Sequence, residues 1–169
     1  MTIGIIREME NLVDACKKRA VGEMELFLRT FAYVPDDKLN WTPTATSKSA
    51  IRIAVHTALH AGRFAKMIRD RALPQVDNLE EWLAKNLAEE VAVTDRAEME
   101  AIFRKGTEEV LTALDSLTAE EVEIVLDSGQ GWSMPMTQLM NLPGWHATLH
   151  AGQIDYLQTC WDDQQIYVE

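Results

Sequence analysis

Apolar side chains recur at steps of three and four residues in four long segments of the chain, which is the spacing of one face of an α-helix. The clearest case is the segment 3–33, in which the positions off the apolar stripe are mostly charged. Its stripe consists of Ile6, Met9, Val13, Cys16, Ala20, Met24, Phe27 and Phe31. Pro35 marks the end of the helix, because the residue before a proline avoids the helical backbone region. The pattern predicts a long amphipathic helix whose methionines and phenylalanines face a core.

Three further long helices are predicted from the same spacing. They cover residues 47–71, a segment from 94 or 95 to about 117, and residues 136–161, with a kink or a fresh start at Pro143. The third begins with the capping box Asp95-Arg-Ala-Glu98. Four amphipathic helices with long crossover connections predict an all-α four-helix bundle. The whole chain of 169 residues suits a single domain with a sizeable core.

The connections between these helices are long and differ in character. Residues 34–46 are rich in proline and turn formers and predict a loop. In the next connection, residues 78–88 predict either a short helix or a mobile acidic loop, and residues 118–125 later predict a short capped helix. The glycine-containing crossing at 127–135 does not follow a strand, so it is not interpreted as a phosphate loop. At most a trivial strand is expected in residues 124–136.

All four histidines occur as pairs spaced four residues apart, His56 with His60 and His146 with His150. Residues four apart share one helix face, so each pair can present two imidazoles to one metal ion. A single histidine on an apolar face is more often an ordinary core residue held by hydrogen bonds. Two such pairs on two helices favour a metal site. Zinc or nickel needs at least three protein ligands, so one pair alone is incomplete.

The histidines of the last helix are expected on its buried side. The same stripe holds Leu139, Leu142, Leu149, Gln153, Leu157 and Cys160. Gln153, three residues after His150, is the expected hydrogen-bond partner of a ligand imidazole. Arg52 and Arg63 of the second helix have two interpretations, contacts for an anionic substrate group or surface ion pairs. Trp41 is expected either as a wall of the pocket or as an anchor that packs its loop onto the bundle.

The net charge of −11 limits the classes of partner. A nucleic-acid-binding protein would carry a basic surface, and an anionic membrane would repel so acidic a chain. The two cysteines, Cys16 and Cys160, form neither a CxxC pair nor a disulfide framework, which favours a reducing compartment. The N-terminus has no signal-peptide pattern, and no segment reaches the roughly 20 apolar residues of a membrane span. We therefore expect a cytoplasmic protein that binds neither nucleic acid nor membranes.

Three motifs, spread over nearly the whole chain, carry a family resemblance. They are Asp37-Lys-Leu-Asn-Trp41 with Pro43 after the first helix, Ile53-Ala-Val-His56 on the second, and Trp145-His-Ala-Thr-Leu-His-Ala-Gly-Gln-Ile154 on the last. The last motif is the most specific. With these motifs the chain resembles the DinB/YfiT-like family of metalloenzymes.

The resemblance implies a four-helix bundle with a three-histidine metal site. Transferred residue by residue, the ligands are His56 on the second helix and His146 and His150 on the last. The expected ion is divalent, zinc or nickel. His60 departs from the family pattern and has three interpretations: a spare base in the pocket, a group that supports a ligand, or a partly exposed residue.

Three histidines would leave one coordination position open, which is typical of a catalytic metal site rather than a structural one. The resemblance implies a thiol-dependent S-transferase that uses a low-molecular-weight thiol and acts on a small molecule. A metal-dependent hydrolase is the second hypothesis, although the histidine stripe carries no evident carboxylate base. The third hypothesis is a non-catalytic, dimeric metal-binding protein of a stress response. The sequence names neither the substrate, the metal nor the thiol.

Aromatic side chains outside the four apolar stripes favour self-association. They are Trp82, Trp132, Trp161 and Tyr167. Exposed aromatic residues in such numbers often mark a contact surface between proteins. Because symmetric pairs are the commonest oligomers, we expect a homodimer.

Overall fold

Helix α1 (Thr2–Ala32) buries the stripe that its apolar periodicity predicts. The structure, a computed structural model, describes the backbone of residues 2–165 and the side chains of residues 9–165. Ile6 of the predicted stripe and Tyr167 of the predicted aromatic surface lie outside the described side chains. The other members of the stripe are buried or half-buried. The apolar spacing therefore identified the core-facing side of α1 correctly.

Five more helices and one short hairpin follow α1 in the described part of the chain. The helices are α2 (Ala50–Asp70), α3 (Leu79–Ala92), α4 (Arg96–Asp115), α5 (Ala119–Val122) and α6 (Met136–Thr159), and the strands are β1 (Val125–Asp127) and β2 (Ser133–Pro135). A 3-10 turn, Asp36–Lys38, lies in the loop after α1. The strands pair antiparallel, with Leu126 opposite Met134. The all-α prediction is confirmed, and the two strands are confined to the segment in which a trivial strand was expected.

Local sequence signals determine where the shorter helices begin. The side-chain oxygen of Asn78 accepts hydrogen bonds from the backbone N–H groups two and three residues later, at 3.1 and 3.2 Å. The segment 78–88 is therefore the start of a helix rather than a mobile loop. A capping box that begins at Thr118 starts α5. This helix is shorter than the predicted segment 118–125, because the chain turns into β1 at Val125.

The four long helices form the bundle, in which α2 packs against α4 and α6, and α1 packs against α6 and α4. Helices α2 and α4 approach each other closely at Gly106. A Cβ at that position would lie 2.8 Å from the backbone nitrogen of Gly62 and 2.9 Å from Cβ of Ala61. Helix α3 lies outside the bundle, against α2. Across residues 2–165, no helix combines the length and apolarity needed to cross a bilayer.

The buried face of α6 differs from the predicted one. Leu149, Gln153 and Cys160, which belong to the predicted stripe, are exposed. The buried hydrophobic residues of the helix are Met136, Leu139, Met140, Pro143, Ala147, Ala151, Ile154 and Leu157. Each histidine of α6 is followed by an alanine that packs into the core, so both histidines lie at the edge of the buried face and are half-buried. The helix also continues through Pro143 without a fresh start.

Trp161 is half-buried rather than exposed, which corrects the predicted aromatic surface. Its ring packs edge-on against Trp41, with 5.8 Å between the ring centroids, and both residues pack against the buried core. Trp82 and Trp132 are exposed over 36% and 45% of their surface. The contact between Trp41 and Trp161 ties the loop after α1 to the end of α6.

Candidate metal centre

Helices α2 and α6 pack side by side and bring all four histidine rings into one cluster. The ring centroid of His56 lies 5.2 Å from that of His146 and 4.9 Å from that of His150. The rings of His146 and His150 are 4.3 Å apart. The ring of His60 lies 4.1 Å from His56 and 4.9 Å from His146. The two histidine pairs therefore meet at the seam between the two helices.

Three of the four rings bring nitrogens close to one point. One ring nitrogen from each of His56, His146 and His150 lies within 4.8 Å of the other two. The Nε2 atoms of His146 and His150 are 3.0 Å apart. Ligands on a tetrahedral zinc ion, at zinc–nitrogen distances of about 2.0–2.1 Å, lie about 3.3 Å from one another. Neutral imidazole also suits zinc and nickel, so the donor set and its spacing fit one divalent ion.

Two of these imidazoles are oriented by hydrogen bonds from their other nitrogen. Nδ1 of His56 donates to Oε1 of Glu90 at 2.6 Å. Nδ1 of His150 donates to Oε1 of Gln153 at 2.7 Å. A neutral imidazole that donates through Nδ1 leaves Nε2 with its lone pair free. These contacts select the tautomers in which Nε2 can bind a metal, and they hold the rings in place.

Glu90 is a buried carboxylate, exposed over only 5% of its surface. While Oε1 binds His56, Oε2 accepts from Nζ of Lys48 at 2.9 Å and from Arg52 at 3.3 Å. Burial raises the pKa of this carboxyl group, but the hydrogen bonds from His56 and Lys48 and their charges outweigh it and lower the pKa to about 2. Glu90 is therefore ionised at neutral pH, and both of its oxygens are engaged.

Burial is the main cause that lowers the pKa of all four histidines. The pKa of His146 falls to about 2, because burial is reinforced by the neighbouring His150. The pKa of His60 falls to about 4, through burial and the neighbouring His56. Imidazoles must be neutral to bind a metal, so the cluster is in its binding-competent protonation state at neutral pH.

His60 belongs to the ring cluster but not to the group of three convergent nitrogens. Its Nδ1 donates to the backbone carbonyl of His56 at 2.8 Å. The guanidinium of Arg63 lies beside the ring, with Nη1 3.5 Å from Nε2. Arg63 also donates from Nη2 to Glu89 at 2.7 Å. Arg63 therefore lies beside the histidines, as a contact for a substrate group would, and it also forms the ion pair of the second interpretation.

The other two predicted site residues make different contacts. Gln153 contacts His150 directly. Trp41 packs its ring against Trp161, as expected for a residue that anchors its loop. Glu90 was missed by the sequence analysis, since it lies 34 residues after His56 in the chain. Its neighbour Glu89 is the same residue type, so no local pattern marks the one that reaches the site.

A groove opens beside His60 between α2, α3 and the β-hairpin. This α2–α3 groove has a volume of about 710 Å³. Its walls are largely apolar, with side chains from Phe64, Met67, Trp82, Trp132, Met134 and Leu142. His60, Arg63 and Phe64 are the residues of the groove that lie against the histidine cluster, with the ring of Phe64 5.3 Å from that of His146. A cavity of this size and polarity can accept a small organic molecule.

The comparisons with known proteins agree with this architecture. The DinB superfamily model matches residues 22–154, a range that includes all four histidines. A similar solved structure is the crystal structure of a DinB-like protein, YjoA, from Bacillus subtilis, with a TM-score of 0.64 and 16% sequence identity over 90% of this chain and 94% of that one. At this level of identity the likeness concerns the fold alone. No curated protein matches the chain. Because the family model covers most of its length, the chain belongs to the DinB superfamily.

Proposed function

We propose that this protein is a metal-dependent enzyme of the thiol S-transferase type that acts on a small molecule. The observation that carries the proposal is the convergence of nitrogens from His56, His146 and His150 within 4.8 Å. These three residues would hold the ion, with zinc or nickel expected from the all-imidazole donor set. The adjoining α2–α3 groove supports a small-molecule substrate.

A catalytic role is favoured over a structural one by the number and the surroundings of the ligands. Structural zinc sites are usually closed by four protein ligands, whereas catalytic sites use three. The three histidines are half-buried rather than sealed in the core. When bound there, a divalent ion would lower the pKa of a thiol at its open position and so supply a nucleophilic sulfur at neutral pH.

The proposed reaction joins the sulfur of a low-molecular-weight thiol to an electrophilic carbon of the substrate. A sulfur–carbon bond forms, the bond from that carbon to its leaving group breaks, and the thiol proton passes to water. Glu90 holds the proton of His56 on Nδ1, which leaves Nε2 to face the ion, and it fixes the orientation of the ring; Gln153 does the same for His150. Lys48 and Arg52 hold Glu90 in turn.

The carboxylates beside the cluster argue against the hydrolase alternative. Hydrolysis would use a general base that is free to accept a proton from water. Glu90 engages three partners, and its pKa of about 2 makes it a weak base. Glu89 is held by Arg63 at 2.7 Å. Among the side chains of residues 9–165, the carboxylates that contact the cluster or Arg63 are thus occupied, which supports thiol transfer.

The test combines metal analysis with a co-substrate assay on the purified protein. Metal content is measured by plasma mass spectrometry, and turnover of 1-chloro-2,4-dinitrobenzene is measured with bacillithiol, mycothiol or glutathione. We expect about one divalent ion per chain and turnover that needs a thiol. His146→Ala should lose both, whereas Gln138→Ala, at an exposed position of the same helix, should keep both.

The alternatives correspond to distinct results of the same test. Turnover of an ester or amide substrate without any thiol would favour the hydrolase. Full metal content with no turnover for any thiol would favour a non-catalytic metal-binding protein. A wild-type protein that binds no divalent ion would overturn the proposed metal-dependent function altogether.

A further inference from the structure

The α2–α3 groove indicates the class of molecule on which the protein acts, an inference that rests on the proposed function. His60 and Phe64 line the groove where it meets the histidine cluster. The ring of His60 lies 4.1 Å from that of His56 and 4.9 Å from that of His146. A molecule in the groove would therefore lie one side chain away from the convergent nitrogens. The polar groups near this end decide which part of such a molecule faces the cluster.

Helix α3 runs antiparallel to α2 along the groove. Glu90 contacts His56, and the preceding residue Glu89 contacts Arg63, further along α2. Residues earlier in α3 therefore lie beside later residues of α2, away from the cluster. Asn86, about one turn before Glu89, follows next along the groove. At the cluster the groove wall therefore combines the polar side chains of His60 and Arg63 with the ring of Phe64, and Asn86 lies farther outward.

Asn86 supplies a hydrogen-bond donor that has no partner. Its Nδ2 is buried and makes no hydrogen bond to any other described residue. Buried polar nitrogens are nearly always hydrogen-bonded in folded proteins. A rotation of the Asn86 amide about its terminal side-chain torsion would turn this nitrogen to the groove, where a ligand can supply the missing acceptor. The acceptor that fits an amide N–H is a carbonyl or carboxylate oxygen.

The charges of the groove favour a carboxylate over a neutral carbonyl. Three cations line it, Arg63, Lys66 and Lys85, against two carboxylates, Asp70 and Glu89. Glu89 binds Arg63 at 2.7 Å, and Asp70 pairs with Lys66. For the described residues, no ion pair or hydrogen bond engages the side chain of Lys85, which directly precedes Asn86. One positive charge therefore remains available for an anion next to the unpartnered amide.

The outer part of the groove is wide and apolar. Trp82 of α3 and Trp132 of the hairpin both line it, and both keep more than a third of their surface exposed. Met67 and Met134 provide adaptable apolar surface between the helix and the hairpin. Indole faces and methionine side chains pack well against flat aromatic groups.

We propose that the groove binds a small carboxylic acid with a flat apolar body. The carboxylate accepts a hydrogen bond from Nδ2 of Asn86 and pairs with Lys85. The body lies against Trp82 and Trp132. In this orientation the carboxylate end faces the histidine cluster, so the atoms next to the carboxyl group are the ones presented to the thiol.

The binding test uses three probes that share one apolar body and differ in charge: 2-naphthylacetate, 2-naphthylacetamide and 2-(2-naphthyl)ethylamine. Their affinities for the protein as purified are measured by isothermal titration calorimetry, and the metal content of each sample is recorded. We expect the acetate to bind about tenfold more tightly than the acetamide, because its hydrogen bond and ion pair are charge-assisted. The amine should bind weakest.

Three variants assign the binding to the groove. Asn86→Asp should weaken acetate binding at least tenfold, and Asn86→Ala should remove the preference for acetate over acetamide. Trp132→Ala should weaken all three probes. Val21→Ala is the control, since Val21 is 36% exposed on α1 and is not among the residues that line the groove.

The outcomes separate this inference from the proposed function. Equal affinity for the three probes, or acetate binding that Asn86→Asp leaves unchanged, would overturn the inference even if the protein holds its metal and transfers thiols. Selective acetate binding that the groove variants abolish would support the inference, and it would do so even in a sample without metal. Absence of metal would count against the proposed function alone.

Discussion

Nδ1 of His56 donates a hydrogen bond to Oε1 of Glu90 at 2.6 Å, and this contact joins the four-helix bundle to a helix outside it. His56 lies on α2, whereas Glu90 lies on α3, which packs against α2. The short helix in the second connection therefore has a part in the site. It supplies the carboxylate that orients one candidate ligand and the residues of one groove wall.

Glu90→Gln is expected to weaken metal binding by about 10- to 100-fold, the usual effect of losing a carboxylate that orients a metal-binding histidine. The substitution keeps the size of the side chain but removes the charge that Lys48 and Arg52 also contact. Zinc affinity is measured by competition with a chromogenic chelator. Glu89→Gln is the control, because Glu89 pairs with Arg63 and not with a candidate ligand. Equal affinities of the two variants would show that Glu90 has no positioning role.

The assignment of ligands predicts different results for the two histidines of α2. His56→Ala should lose most of its metal, because it removes one of the three convergent nitrogens. His60→Ala should retain its metal, since Nδ1 of His60 is bound to a backbone carbonyl and its ring lies outside that group. Plasma mass spectrometry of the purified variants measures the difference. Retention in His56→Ala together with loss in His60→Ala would reverse the assignment.

The bundle and the pairing of the histidines could be predicted from the sequence, because both depend on the spacing of side chains along one helix. A step of three or four residues places side chains on one helix face whatever lies around the helix. The position of Glu90 depended instead on how α3 packs against α2. Glu89 and Glu90 are the same residue type in adjacent positions, and only this packing directs one to Arg63 and the other to His56.

The error in the face of α6 has a related physical reason. Leu149 is apolar and was assigned to the core, but it is 45% exposed. The small residues Ala147 and Ala151 occupy the core instead, where α6 meets its neighbours. Hydrophobicity alone predicts that a leucine, rather than an alanine, is the core residue. The space between close-packed helices favours the smaller side chain, and this preference is visible only in the packed structure.

Protonation of the histidines should destabilise the metal-free protein as the pH falls. In the unfolded chain a histidine has a pKa of about 6.5, whereas in the fold the pKa of His60 is about 4. Below pH 6.5 the unfolded state therefore binds protons that the folded state does not, and stability decreases towards the lower pKa. Each such histidine changes the free energy of unfolding by at most about 1.4 kcal/mol per pH unit. The change is smaller where water screens a partly exposed ring.

This pH dependence is measured by urea unfolding of chelator-treated protein at pH 7, 6 and 5. His60→Asn removes one of the titrating groups, so its stability should fall less steeply with decreasing pH than that of the wild type. Parallel pH profiles for the two proteins would show that His60 does not contribute to the pH dependence of stability.

The contact between α2 and α4 predicts the effect of two glycine substitutions. Gly106→Ala should lower the free energy of unfolding by about 1–3 kcal/mol, because the new methyl group would overlap with the backbone of α2 at Gly62. Gly22→Ala is the matched control, since nothing lies within 4 Å of a Cβ at that position of α1. It should be neutral or stabilising by up to about 1 kcal/mol, from helix propensity. Chemical denaturation distinguishes the two, and equal effects would contradict the close contact.

The protein is expected to form a homodimer through the exposed face of α6. Trp161, part of the aromatic surface expected from the sequence, packs onto the core instead. The same helix nevertheless exposes Trp145, Leu149 and Tyr156 over 50%, 45% and 68% of their surface. An apolar face of this kind on one helix can pair with its own copy about a two-fold axis.

Light scattering at micromolar concentration tests the dimer. The wild type should give twice the mass of the 19.1 kDa chain. Tyr156→Glu should give the monomer mass, because two like charges would then face each other across the two-fold axis. Val125→Glu is the control, since Val125 is 62% exposed in the hairpin, away from this face of α6. A monomeric wild type would contradict the prediction, and a Tyr156→Glu protein that stays dimeric would place the contact on another surface.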